Sequence, residues 1–355
     1  MGKLYAEYIR QEPEVLGTIL ARREALAASF TAFARERPFR RVFLLGSGSS
    51  WHCGLVCRDL IQDMTGVECT CLTSTMAQGF PFRREDLYIA VSQSGTSNST
   101  LGLMERLQAM GAHVAALTAE FRSPIARKAD LVVPVLCGAE TIGPKSKGVL
   151  ATIATLALLF LALGRGTRRL DQSGYEGQIA ALERARGDVA DAIQAGEGFF
   201  RRCREELLSA GELMLVAGPE RIGAARECAL KVLETCRVPA LAYEFEEYMH
   251  GPHYTLGPGR HIFYLLPQGP DRTRMLALYR FGAEQGAIGW LLDLEERDGA
   301  FRVPGDRGDI PGALSYIAFF QALSQCLSEA AGVDCDRPRY PEFHARMGTK
   351  TLDQE

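Results

Sequence analysis

The 355-residue sequence predicts an α/β protein of two tandem doubly wound domains, each a parallel sheet flanked by helices. Two observations carry this. Across residues 37–165, five-residue apolar runs alternate with longer amphipathic stretches, and the same alternation returns across residues 199–336. A glycine- and serine-rich turn follows the first apolar run and another follows the third, which is where a doubly wound sheet presents its ligand loops.

Residues 1–36 form an N-terminal segment whose apolar spacing predicts a helix from about Pro13 to Arg35. The first domain then reads as strand Arg41–Leu45, helix Ser49–Met64, strands Glu68–Leu72 and Leu87–Val91, helix Ser97–Met110, and strands His113–Leu117 and Leu131–Val135. The span from Leu150 to Ala210 reads as helices broken at Gly164, Gly174 and Gly187, with residues 166–198 as the connection. The second domain reads as strand Glu212–Ala217, helix Ala224–Cys236, strands Leu241–Phe245 and His261–Leu266, helix Arg272–Gln285, strand Ile288–Leu292 and helix Pro311–Ala331. Its turn Gly218–Gly223 stands where the first domain has GSGSS but lacks the serines. Residues 337–355 are expected to form a solvated tail.

A net charge of −3 with dispersed Lys and Arg residues provides no basic field for nucleic acid. The N-terminus is charged and has no apolar signal core, so a cytoplasmic location is expected and no membrane association. The apolar run Val149–Gly164 falls short of the roughly 18–20 residues that span a bilayer and reads as a buried helix. Ten cysteines include no CxxC pair. Cys53 and Cys57 share one helix face and Cys69 and Cys71 one strand face, which reads as reduced core and not as a metal site.

The turns Gly46–Ser50 and Ser92–Ser97 have the chemistry of an anion cradle. The first N–H groups of a helix lack intrahelical partners and lie at the positive end of its dipole, and small hydroxyl side chains add donors without bulk. Neither turn contains lysine, which excludes a Walker loop, and Trp51 stands where a GxGxxG fingerprint needs glycine.

In the second domain Glu227, Lys231 and Glu234 lie at i, i+4 and i+7, one stripe of a helix. Such a stripe is usually a solvated salt-bridge face, yet the surrounding Ala224, Ala225, Ala229, Leu230, Val232 and Leu233 leave little other polar face, which suits a pocket lining. Downstream, His250 precedes a Gly-Pro turn that could present its imidazole to a ligand. His253, three residues on, is the alternative histidine; no carboxylate or cysteine partners stand at zinc spacing.

With GSGSS, SQSGTS, ALKVLE and HGP in this order, nearly the whole chain resembles the sugar-isomerase (SIS) family. It is most similar to the isomerase half of glucosamine-6-phosphate synthase and to related fructosamine-6-phosphate deglycases. The resemblance implies two tandem SIS domains with a sugar 6-phosphate held by Ser49, Ser50, Ser92, Gln93, Ser94 and Ser97. It further implies Glu234 as the base between C1 and C2, with Lys231 and Glu227 contacting the reacting end or tuning that base. His250 would be the ring-opening acid/base reaching a neighbouring subunit's site, which implies a homodimer, and Lys350 the C-terminal lysine of the site. No cofactor and no metal are implied.

Two departures bear on activity. The synthase's glutaminase domain and N-terminal cysteine nucleophile have no counterpart here, so glutamine is not expected as nitrogen source. The loop GAETIGPKSKG keeps Glu140 and Lys147 but carries Pro144 and Lys145 where the synthase has small residues. An apolar pocket would raise the Glu234 carboxyl towards neutrality and make it a competent base. The expected activity is a phosphosugar isomerase-type deglycase converting a fructosamine 6-phosphate into glucose 6-phosphate and free amine. Alternatives are a glucosamine-6-phosphate deaminase or isomerase working with free ammonia, and a phosphosugar sensor without turnover.

Overall fold

A computed structural model describes residues 2–36 and 38–351. Three helices open the chain: α1 (Lys3–Arg10), α2 (Glu12–Ala21) and α3 (Arg23–Arg35). The single helix expected from Pro13 to Arg35 is thus two, because Arg22 leaves helical geometry at φ −103° and ψ 8°. A five-stranded parallel sheet follows, interleaved with helices: β1 (Arg41–Leu45), α4 (Ser49–Thr65), β2 (Glu68–Leu72), β3 (Leu87–Val91), α5 (Asn98–Ala109), β4 (Val114–Thr118), α6 (Pro124–Lys128) and β5 (Leu131–Pro134). Its order is β2-β1-β3-β4-β5, so the switch point lies between β1 and β3.

Strands β3 and β4 are buried on both faces, as a sheet covered by helices on each side requires. On one face, alternate residues Phe43, Leu45, Tyr88, Ala90, Val114 and Ala116 pack with Leu103, Met104 and Leu107 of α5. On the other face α4 lies so close that a Cβ at Gly54 would come within 3.2 Å of Leu44 and Cys71. Helix α7 (Lys147–Gly166) packs on α3 and α4 and is buried from Lys147 to Gly164. Its apolar sequence is the price of that position in the core.

Helix α8 (Gln172–Arg202) runs unbroken through Gly174 and Gly187, so the expected breaks there do not occur; the interruption falls instead between Thr167 and Asp171. Nothing within 4 Å would meet a Cβ at Gly187, and the residue is simply carried by the helix. After α9 (Arg204–Ser209) comes a second parallel sheet: β6 (Leu213–Ala217), α10 (Ile222–Cys236), β7 (Ala240–Glu244), α11 (Phe245–Tyr248), β8 (His261–Leu265), α12 (Asp271–Glu284), β9 (Ile288–Asp293), β10 (Phe301–Arg302), α13 (Asp309–Ala330) and, near the end, α14 (Phe343–Met347). Its order, β10-β9-β8-β6-β7, read from the other edge repeats the first sheet strand for strand. β6 and β8 are fully buried, and α10 packs on α13.

The chain divides into two compact units. One comprises Glu14–Glu140, Lys147–Ala180 and Pro338–Glu355 and holds the first sheet. The other comprises Met1–Pro13, Thr141–Ser146 and Ala181–Arg337 and holds the second.

Candidate functional site

In the first-sheet unit the two serine turns lie side by side at the switch point. Gly46 is packed so tightly that an added Cβ would stand 3.0 Å from the Val91 carbonyl and 3.0 Å from Ser50 Cβ. Gly48 adopts φ 57° and ψ −132°, a conformation closed to side-chain-bearing residues, and from it Ser49 and Ser50 begin α4. No side-chain oxygen caps that helix at Gly48.

The second turn is built with the same economy. Gly95 N donates to the Ser92 carbonyl at 3.0 Å, and Gly95 takes φ 63°. The Gln93 carbonyl accepts from Ala119 N at 3.0 Å and from Thr118 Oγ1 at 3.1 Å. Ser94 Oγ lies 2.9 Å from Thr96 Oγ1. Ser97 caps α5, its hydroxyl accepting from Thr100 N at 3.4 Å and Thr100 Oγ1 at 3.0 Å. Of the six residues expected at the phosphate, Ser97 therefore already serves its own helix.

Gln93 reaches away from the turn. Its Nε2 donates to Glu140 Oε2 at 2.5 Å, and the same oxygen accepts from Gly148 N at 3.0 Å in the first turn of α7. A Cβ at Gly148 would displace the Gln93 amide from this position. Cys137 lies 3.6 Å from Gln93 Nε2, its thiol pushed up to about 11 by burial and then by the Glu140 charge, so it is a poor nucleophile.

The tail returns to this turn. Ser97 and Lys350 form an antiparallel bridge, Thr351 N donates to the Thr96 carbonyl at 2.8 Å, and Asn98 N donates to the Thr349 carbonyl at 3.2 Å. The Asn98 amide holds the Gly348 carbonyl at 2.7 Å. The tail's side chains are exposed from 337 to 350, as a solvated tail requires, and in addition its end is paired through the backbone to this turn. The last four residues, 352–355, lie outside the described set.

In the second-sheet unit, the stripe of α10 is turned inward. Glu227 and Lys231 are completely buried while Leu233 is 42% exposed, the reverse of an ordinary amphipathic helix. The surface salt-bridge reading is excluded. Lys231 Nζ lies 3.1 Å from Glu227 Oε1, and it donates to Glu234 Oε2 at 2.7 Å and to the Lys145 carbonyl at 2.9 Å. Burial pulls the lysine down, but the charges of Glu227 and Glu234 outweigh it and hold the ammonium above its ordinary range. Glu234 keeps a third of its side chain exposed. Its surroundings are therefore an adjacent cation and solvent more than the apolar wall expected.

Tyr5 of α1, absent from the sequence reading, is fully buried in this unit; burial and then the Glu234 charge push its phenol well up. Only folding brings these two residues within electrostatic reach, and no local pattern announces it.

His250 belongs to a different, exposed network. Its Nε2 lies 3.3 Å from Glu246 Oε1, and Glu246 Oε2 accepts from Arg274 Nη2 at 3.0 Å. The His250 ring is 70% exposed. The alternative His253 stacks on Tyr254 with centroids 4.4 Å apart. Among the described residues no three His, Cys, Asp or Glu side chains gather in metal-holding geometry.

Residues 37–162 match the family model of the SIS domain. Over 350 residues the chain is 26% identical to a glutamine–fructose-6-phosphate aminotransferase (isomerizing) of Symbiobacterium thermophilum, covering 93% of this chain and 57% of that protein. The chain spans about half the length of the curated relatives it matches. A candidate phosphosugar isomerase from Clostridium difficile 630 shares the fold with a TM-score of 0.89 at 24% identity, covering 98% of this chain and 99% of that one. The C-terminal domain of glucosamine-fructose-6-phosphate aminotransferase from Francisella tularensis does so with a TM-score of 0.84 at 17% identity, covering 95% and 99%.

Proposed function

The chain carries a SIS domain of the phosphosugar isomerase family, and from that premise we propose that it is an aldose–ketose isomerase-type enzyme acting on a phosphosugar. The observation that carries this reading is the Glu227–Lys231–Glu234 group, a buried pair ending on a part-exposed carboxylate. Replacing buried ion pairs by apolar residues is often neutral or stabilising, so a fully buried Glu227–Lys231 pair extended to the part-exposed Glu234 points to chemistry, not to architecture. A module that only senses phosphate has no use for them.

In this reading the serine turns are the phosphate anchor and Glu234 is the base. Lys231 donates a hydrogen bond to that carboxylate at 2.7 Å and fixes its position. The specific reaction is deglycation of a fructosamine 6-phosphate. Glu234 takes a proton from C1 of the 1-amino-2-ketose and returns one to C2, while the proton lost from the nitrogen is matched by one gained on the C2 oxygen, giving an imine at C1 and a hydroxyl at C2. Water then adds to C1, the C1–N bond breaks, and glucose 6-phosphate and the free amine leave. Pro144 and Lys145, which alter the loop beside Lys231, favour a substrate bearing a substituted amine over one bearing free ammonia.

Purified protein given 6-phosphofructosyl amines should release glucose 6-phosphate and amine, read by mass spectrometry, and Glu234→Gln should lose about 100-fold or more of that rate while still folding. Ammonia release from glucosamine 6-phosphate alone would replace this reading with a deaminase, and binding without any product would replace it with a sensor. The exposed His250 is proposed to serve the site of a second copy. Mixing Glu234→Gln with His250→Gln protein should then recover activity that neither has alone.

A further inference from the structure

We propose that Gln93 presents its amide carbonyl to the bound phosphosugar and accepts a hydrogen bond from one of the sugar hydroxyls, with Glu140 as the positioning residue that imposes this polarity. The inference rests on the phosphosugar reading and is independent of deglycation. Gln93 stands between Ser92 and Ser94 in the second serine turn, where Ala119 N and Thr118 Oγ1 fix its main chain by donating to its carbonyl. An ionised carboxylate can only accept, so the end of the amide that faces Glu140 Oε2 at 2.5 Å is the nitrogen. The same carboxylate oxygen accepts from Gly148 N at 3.0 Å, which holds it in place at the start of α7. The whole amide lies against Gly148, where an added Cβ would strike its nitrogen, carbon and oxygen alike.

Donor and acceptor counting determines what this side chain recognises. A glutamine amide has two N–H donors and one carbonyl acceptor. Glu140 takes one N–H, and the Cys137 sulfur stands 3.6 Å from the same nitrogen as a second acceptor. Among the described residues none donates to Gln93 Oε1, and the residue is only half-buried. Its free group is therefore an acceptor. A phosphate monoester near neutral pH is mostly doubly ionised and also offers acceptors, so oxygen would face oxygen. A sugar hydroxyl can donate, and it fits. The serine hydroxyls of the turns can rotate to donate, which suits them to the phosphate. Reversing the Gln93 amide would set its oxygen against the Glu140 carboxylate, and this is how a residue with no ligand contact of its own decides what its neighbour reads.

The test compares two ligands by calorimetry on the full chain: glucose 6-phosphate, which has hydroxyls and a phosphate, and inorganic phosphate, which has no sugar. Gln93→Met should weaken glucose 6-phosphate about three- to tenfold and leave inorganic phosphate unchanged within about twofold. Glu140→Gln lets the Gln93 amide turn, so it should narrow the ratio of the two affinities while circular dichroism shows the fold retained. Equal losses for both ligands in Gln93→Met would assign the side chain to the phosphate and overturn the proposal with the phosphosugar reading intact, and so would no loss for either. An unchanged ratio in Glu140→Gln overturns the role given to Glu140. Binding of neither ligand to the wild type overturns the proposal and the phosphosugar reading together. Should Gln93→Met fail to fold, Gln93→Ala makes the same comparison.

Discussion

Lys231 and Glu227 are both completely buried and stand 3.1 Å apart one helical turn along α10. Removing one member of such a pair leaves an uncompensated charge in the interior, which costs about 3–5 kcal/mol. Glu227→Ala is expected to lower unfolding stability by that order in urea titration, and Lys231→Met by more, because it abandons two carboxylates. The lysine's folded pKa is raised, so its stabilising contribution is complete below the ordinary lysine value and is lost only as pH rises beyond it. Between pH 6 and 9 the difference between wild type and Lys231→Met should therefore stay level.

Gly95 holds φ 63°, and a Cβ added there would strike the Ser123 side chain at the start of α6. Gly95→Ala should cost about 1–3 kcal/mol, seen as a lowered melting temperature. Affinity for glucose 6-phosphate, measured by calorimetry, should fall as well because the 92–97 turn must shift.

Asn98 secures the tail through its contact with the Gly348 carbonyl. Asn98→Ala is expected to free the segment after Pro338, so that limited proteolysis cuts it faster while the rest of the chain stays intact. Unchanged cutting would mean that the backbone pairing at Thr96 and Thr349 suffices alone.

His261 opens β8 at 3% exposure, with its Nε2 unpartnered and Nδ1 3.1 Å from the Gly259 carbonyl. Burial lowers its pKa below the ordinary 6.5. The unfolded chain then binds the proton more readily, so stability should fall as pH drops through 6.5 and level off once the folded ring is also protonated. Urea titrations at pH 8, 6 and 5 should show this slope in wild type and a reduced one in His261→Phe.

The boundaries of the two sheets were legible because buried parallel strands are short apolar runs and their helices carry a different period. Leu87–Val91 and Glu68–Leu72 were read to the residue. β10 escaped notice because two residues carry no period, and α1 because its buried Tyr5, Tyr8 and Ile9 are interspersed with charges. The charged stripe of α10 could be located but not given a side: helix spacing says that Glu227 and Lys231 are neighbours, while only tertiary packing decides that they face inward. Gln93 meeting Glu140 through their side chains, and Ser97 meeting Lys350 through the backbone, join residues far apart in the chain, which local patterns do not encode.

Pairing of the tail with the second serine turn also has a bearing on biosynthesis. The Asn98–Gly348 and Asn98–Thr351 hydrogen bonds join residues 250 and 253 positions apart. On a ribosome the first sheet can form early, with its strands and α7 already extruded, but the 92–97 turn waits for its last partner until residue 351 has been translated and released. The turn would then complete its contacts only once residue 351 has emerged, long after the sheet that bears it has formed.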